Sequence, residues 1–208
     1  MTELQQKKLN DGREYRNMTM TVRASDDGMV VEGYATTFNQ PYELYSYGNY
    51  KVLEQVDANA FDDCDMSDVI FQYNHQGRVF ARTRNGTLTV TPDETGLKVE
   101  ADLSGTEAGQ QLFEEIKGGY TDRMSFGFIV GESEKTYIEN SEEGTETVLR
   151  TIKKITKLYD VSAVSIPAND MTSISARNFG EGVISELEAE RRQAEAKMRL
   201  AIKLKLEV

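Results

Sequence analysis

Tryptophan is absent from the 208 residues, and histidine and cysteine occur once each. One cysteine, Cys64, cannot close an intramolecular disulfide, which points to a reducing compartment. A single imidazole and a single thiol cannot assemble the usual zinc-binding sets, and chemistry by a hydroxyl, an imidazole and a carboxylate needs no metal or organic cofactor. No apolar run approaches the ~20 residues that a spanning helix needs. The opening Met1-Thr2-Glu3-Leu4-Gln5-Gln6-Lys7-Lys8 lacks the apolar centre of a secretory signal. No glycine loop of the phosphate-cradling kind follows a strand pattern. Positive charge is in deficit: 24 Lys and Arg against 35 Asp and Glu give a net charge of −11. Such a balance opposes binding to nucleic acid or anionic membrane and suits a basic partner. With no tryptophan platform and no distinctive carboxylate motif, a carbohydrate-active enzyme built on paired carboxylates ranks far behind other readings.

What remains is a chain that is 38 % hydrophobic, enough to build a core in one domain with an appendage. Residues 1–15 are polar and read as a flexible N-terminal segment. Alternation predicts strands over 18–23 and 29–38, with Asp26-Asp27-Gly28 as the turn between them. Residues 39–50, with Pro41, Gly48, Tyr42, Tyr45, Tyr47 and Tyr50, read as a long surface loop whose tyrosines either cover a rim or face substrate. A buried strand over 69–75 puts Val69, Phe71, Tyr73 and His75 on one face. Asn85-Gly86 predicts a hairpin between flanking strands, and Asp93-Glu94-Thr95-Gly96 turns the chain into a strand over 97–103. Ser104-Gly105-Thr106-Glu107 has capping-box spacing, followed by Ala108, Leu112 and Ile116 at helical intervals and a stop at Gly118-Gly119. Met124, Phe126, Phe128 and Val130 share one face of a further strand, and Ser125, Gly127 and Ile129 the other. Residues 131–147 read as an exposed tip, and 148–166 as a long strand ended by Pro167. After Arg177 the composition shifts to Glu, Ala, Arg, Lys and Leu. A helix is predicted there, opened by Ser185-Glu186-Leu187-Glu188, with a narrow stripe of Ile184, Leu187, Ala194, Met198 and Ala201 interrupted by Arg191. It either packs on the domain or binds a partner.

The lone imidazole is the one side chain whose ordinary pKa lies near neutrality, so His75 is the candidate general base. Nucleophilic catalysis needs a hydroxyl within its reach and a third group to orient it. Ser125 stands out because Gly127, its neighbour on the same face, lacks a side chain and would let a substrate backbone approach. Asp160 lies in the apolar stretch Leu158-Tyr159-Asp160-Val161-Ser162-Ala163-Val164. A carboxylate there is costly unless paired. Orienting an imidazole would pair it, and so would a bond to a nearby Ser, Thr or Lys. Asp122 beside Arg123 competes as a solvated turn residue. Cys64, between Asp63 and Asp65, is disfavoured as a nucleophile because the adjacent negative charges raise its thiol pKa.

Taken in order, Val31-Glu32-Gly33-Tyr34-Ala35, Phe38-Asn39, residues 54–61, Phe71 to His75, Met124-Ser125-Phe126-Gly127-Phe128, and Asp160-Val161-Ser162 running to Ser165-Ile166-Pro167-Ala168-Asn169 resemble the tailed-phage prohead protease family of the HK97 type, relatives of the herpesvirus capsid-maturation proteases. Gln76 follows the histidine where members often carry Asp. The resemblance maps the catalytic residues onto His75, Ser125 and Asp160. It implies a mainly β fold, a closed antiparallel barrel of the herpesvirus-protease type over 16–178, with the C-terminal charged helix at 179–208. It also implies a serine endopeptidase that cuts scaffold and capsid-protein segments, and itself, inside the assembling procapsid in the host cytoplasm, with no nucleic acid or membrane partner; the herpesvirus likeness suggests a homodimer. The competing expectation is a non-catalytic capsid assembly module of the same fold.

Overall fold

The computed structural model describes residues 11–21, 23–24, 28–140, 145–165 and 170–206. Val22, Asp26-Asp27, residues 141–144 and the motif segment 166–169 lie outside the described residues, as do residues 1–10 of the expected N-terminal segment. Among the described residues eleven strands form two sheets. The larger has seven strands, ordered β1 (Glu14–Thr21), β10 (Arg123–Asn140), β11 (Thr145–Val164), β5 (Tyr50–Val56) and β4 (Tyr42–Tyr47). Its remaining two are β6 (Ile70–Tyr73), which pairs with β11, and β7 (Gln76–Arg82), which pairs with β6. The smaller sheet runs β2 (Arg23–Ala24), β3 (Val30–Thr37), β9 (Gly96–Asp102) and β8 (Leu88–Pro92).

The alternation of apolar residues builds the interface between these sheets. Val31 and Ala35 of β3, Leu97, Val99 and Ala101 of β9, and Met124, Phe126 and Phe128 of β10 point into one continuous core, as the two-residue period of a strand requires. Helix α1 (Glu107–Lys117) packs Leu112, Phe113 and Ile116 onto that core. Its N-cap is Thr106, whose side chain accepts from the Gly109 N–H at 3.0 Å. The cap therefore falls two residues after Ser104, where the box spacing had put it. Helix α2 (Asp170–Leu206) spans 37 residues. It covers a second, smaller cluster in which Val183 meets Val52 and Val148, flanked by Phe179 and Leu187.

Several sequence expectations change. Among the described residues the strand pairings give two sheets, and the fold is mainly β with two α-helices. The N-terminal segment does not run to residue 15 as a free tail. Glu14 and Tyr15 belong to β1, and Tyr15 is fully buried. The C-terminal helix starts at Asp170, not 179. Its docked part is Ala176 to Leu187, while Met198 of the expected stripe is exposed. Residues 39–50 are mostly a hairpin, β4 to β5, turning at Gly48 with φ of 57°. Residues 131–140 continue β10, paired to β11 down to Asn140–Thr145. Asn85-Gly86 closes a 3₁₀ turn instead of a hairpin, because β7 belongs to the large sheet and β8 to the small one.

β11 is the organising strand. Its first half pairs in parallel with β5, its last residues pair in parallel with β6, and along its whole length it pairs antiparallel with β10. Through these ladders residues remote in sequence share one face. Ser125 lies opposite Ser162, and Gly127 opposite Asp160. On the outer side of β10, Asn17 of β1 lies opposite Ser125 and Tyr15 opposite Gly127.

Candidate active site

His75 does not continue the strand. β6 ends at Tyr73, which pairs with Gln76, so Asn74 and His75 are the two central residues of a tight hairpin. Both have positive φ, 49° and 57°. That is the requirement of a type I′ turn, the two-residue connection whose twist suits antiparallel strands. Asn tolerates the left-handed region and His is also enriched there relative to bulkier residues. The turn swings the imidazole across the end of β11. It is anchored by the Asn74 N–H donating to the Ala163 carbonyl at 3.0 Å and by the His75 N–H donating to Ser162 Oγ at 3.2 Å.

The three sequence candidates converge. His75 Nε2 lies 2.6 Å from Ser125 Oγ, and His75 Nδ1 is hydrogen-bonded to Oδ2 of Asp160. An ionised carboxylate only accepts, so Nδ1 carries the proton and Nε2 presents its lone pair to the serine. Ser162 adds a contact that sequence reasoning missed. Besides accepting from the His75 backbone, its hydroxyl donates to Asp160 Oδ2 at 3.2 Å and lies 3.2 Å from Nδ1. The available signal was its place two residues after Asp160, on the same face of the strand. Asp122 is not at the site; it pairs with Arg123 at the surface.

Gly127 serves a different purpose from the one expected of it. A Cβ there would meet Asp160 Oδ1 and Tyr15 Cε1, each at 2.6 Å. The missing side chain makes room for the carboxylate and the tyrosine, not for substrate. The Tyr15 ring stands edge-on to the imidazole with centroids 4.7 Å apart. The site is closed: Ser125 and His75 are 0 % exposed and Asp160 1 %. A surface groove of about 400 Å³ between β7 and the start of α1 is lined by Arg78, Val79, Phe80, Thr106, Glu107 and Ala108, and none of the three groups reaches it.

Next to the site lies a buried ionic cluster that the sequence reading did not find. Arg16 Nε binds Glu54 Oε1 at 2.5 Å and Nη2 binds Glu54 Oε2 at 2.9 Å; Arg150 Nη1 binds Glu54 Oε2 at 2.8 Å and Glu14 Oε2 at 2.7 Å. Arg16 also pairs with Glu14, and Tyr42 donates to Glu54. Burial opposes the Arg16 charge, but Glu54 and Glu14 outweigh it and hold the group firmly protonated. The Phe179 ring of α2 stacks on Arg150 at 3.9 Å from its guanidinium carbon. A signal was present: Glu54 falls between Val52 and Val56 on the inward phase of β5, where a carboxylate needs a partner. Cys64 is no rival nucleophile. Burial first, then Asp65, pushes its thiol up to about 11. Among the described residues no cluster of His, Cys, Asp and Glu is arranged to hold a metal ion.

A family model described as caudovirus prohead serine protease matches residues 17–183. The chain is similar to the prohead protease of Enterobacteria phage HK97, with 27 % identity over 165 residues, 78 % of this chain and 67 % of that protein. No solved structure matches. The family match runs from within β1 to the docked part of α2, so it takes in His75, Ser125, Asp160 and Ser162. On that extent of agreement, the chain belongs to the caudovirus prohead serine protease family.

Proposed function

We propose that this chain is a serine endopeptidase that cuts scaffold and capsid-protein segments inside the assembling procapsid, in the host cytoplasm, and also cuts itself. Ser125 attacks the scissile carbonyl. His75 takes the hydroxyl proton at Nε2 and returns it to the leaving amine. Asp160 holds the ring in the tautomer that makes this exchange work. Backbone N–H groups stabilise the oxyanion, a contribution of about 3 kcal/mol per donor. The observation that carries the reading is the unbroken chain of contacts from Asp160 through both ring nitrogens to Ser125 Oγ. In this reading the two sheets, which share one core, are the walls of the family's barrel. Substrates bind as extended segments, so that backbone hydrogen bonds supply affinity.

The test is cleavage of scaffold by purified chain and by Ser125→Ala. One hydroxyl is a small packing change, so the variant is expected to fold and to lose all cleavage. Residual processing at the wild-type rate would refute the assignment. A second reading, a non-catalytic assembly module of the same fold, draws on the complete burial of Ser125. Fluorophosphonate labelling separates the two: labelling at Ser125 that needs His75 supports the enzyme, and its absence throughout assembly supports the module. The homodimer is an expectation that sedimentation of the full chain decides; a monomer at assembly concentrations removes it.

A further inference from the structure

The nucleophile of a protease must meet a peptide, yet Ser125 has no exposed surface. One covering element is β1. β1 runs antiparallel along β10 from Glu14–Phe128 to Met18–Met124, directly over the site. It brings the Arg16 carbonyl to 2.7 Å from Ser125 Oγ, which donates to it, and it lays Tyr15 against the imidazole. We infer that the edge of β10 under β1 is the binding slot for an extended peptide segment, and that β1 is the chain's own occupant of that slot, which leaves before substrate enters. This inference rests on the proposed role of Ser125.

Three observations bear on it. First, β1 stands at the end of the sheet order and is tied to the sheet by one ladder, so its departure breaks one set of strand hydrogen bonds instead of two. The β10 edge it uncovers then has unpaired N–H and C=O groups, the template that an extended peptide pairs with. Second, β1 already presents a main-chain carbonyl to Ser125, as a bound peptide strand would. Third, the serine hydroxyl has one proton and two acceptors in reach, Arg16 O at 2.7 Å and His75 Nε2 at 2.6 Å. While β1 is seated, the Arg16 carbonyl competes with the base for that proton. When β1 leaves, His75 alone receives it.

β1 is not held by its ladder alone. The Arg16 guanidinium is locked to Glu54 and Glu14, Glu14 is held by Arg150, and Phe179 of α2 stacks on Arg150. α2 thus fastens the occupant from outside the site through groups that touch no reacting atom.

Thr21 and Arg123 are partners across β1 and β10, beyond the bulge and two residues along β10 from Ser125. In a Cys64→Ser background, T21C with R123C forms a cross-link that keeps β1 seated, and reduction releases it. The probe is a fluorophosphonate, with labelling mapped to Ser125. The oxidised protein is expected to label at least ten-fold more slowly than the same protein reduced. Equal labelling at Ser125 in both forms overturns the inference and leaves the serine assignment standing. No labelling in either form refutes the serine assignment, and the inference falls with it. The unsubstituted chain gives a second measurement: amide exchange of residues 14–18 sets the rate at which β1 opens. Labelling of Ser125 is expected never to exceed that rate, and labelling faster than β1 opens overturns the inference.

Discussion

Glu14 is the first residue of β1, and its titration tests how the buried ionic cluster holds that strand. Burial by itself raises a carboxyl. Here the Arg16 charge, with hydrogen bonds from Arg150 and Arg16, outweighs it and brings Glu14 from 4.5 down to about 2. The folded value lies below the unfolded one, so the contribution to stability is complete above about pH 4.5. It is lost as pH falls through the interval from 4.5 to 2. The difference, 4.5 minus 2, is 2.5 units, worth about 3–4 kcal/mol at ~1.4 kcal/mol per unit. At pH 3 the unfolded carboxyl is protonated and the folded one mostly is not, so about 2 kcal/mol of this is gone. Urea unfolding of the full chain at pH 6 and pH 3, beside Glu14→Gln, isolates the effect. Asp57, Asp65 and Asp68 are also held below their ordinary values by Lys153, Lys157 and Arg82, and they contribute equally to both proteins. The wild type is expected to lose about 2 kcal/mol more than the variant between the two pH values. Because the group sits in β1, the protection of amides 14–18 relative to their intrinsic exchange rates is expected to fall at pH 3 while that of β11 is kept. Parallel pH dependence in the two proteins refutes the reasoning.

Gly127→Ala forces a methyl to 2.6 Å from Asp160 Oδ1 and Tyr15 Cε1, and overpacking of this kind costs about 1–3 kcal/mol. A thermal melt is expected to fall by several degrees, whereas Gly131→Ala has its close contact, 2.6 Å, with Cγ2 of the exposed Thr156, and Lys154 at 3.4 Å or more, and is expected to lose less. Ser162→Ala removes the acceptor of the His75 N–H and the donor to Asp160. With such bonds worth ~1.5–3 kcal/mol where a charge takes part, kcat is expected to fall about 10- to 100-fold and the pH profile to move, with partial recovery in Ser162→Thr. An unchanged pH profile would reduce Ser162 to packing. Phe179→Ala removes the stacking on Arg150, worth about 0.5–2 kcal/mol. It is expected to speed both β1 exchange and Ser125 labelling, and an unchanged exchange rate would disconnect α2 from β1.

The parts of this fold that the sequence disclosed are those where one face is apolar and the other wet. β3, β9, the start of β10 and α1 all carry that contrast, and their periodicity was legible. Where the contrast vanishes, the reading failed. Residues 131–138 are exposed on both faces, so no alternation marks them as strand, and only the register with β11 makes them one. Residues 42–50 carry the Tyr and Gly of a loop, yet β4 and β5 fold back on each other there. The expected hairpin at Asn85-Gly86 failed for a tertiary reason, because its flanks joined different sheets. His75, Ser125 and Asp160 were legible as chemical types, but their meeting depended on a turn. Alternation put His75 on a strand facing with Phe71. Two residues of positive φ put it across the end of β11 instead, and Asn74 ahead of it was the local clue. The ionic cluster escaped because Glu14, Arg16, Glu54 and Arg150 read individually as ordinary strand polar residues. Only Glu54, flanked by buried valines, broke the pattern.

The cluster and the site have a common member, and that fixes how they are coupled. Arg16 alternates with Tyr15 and Asn17, so its side chain faces away from Ser125 while its carbonyl meets Ser125 Oγ. No charged atom of the cluster enters the site, and the coupling between them is mechanical. The guanidinium sets where the Arg16 backbone sits, and the backbone sets which acceptor takes the serine proton. Burying such a cluster is a poor route to stability, since desolvation offsets much of the ion-pair attraction. Removing one partner is another matter, because it strands the other charges out of water at a cost of about 3–5 kcal/mol. An arrangement of little net worth that is costly to break holds a strand in one register.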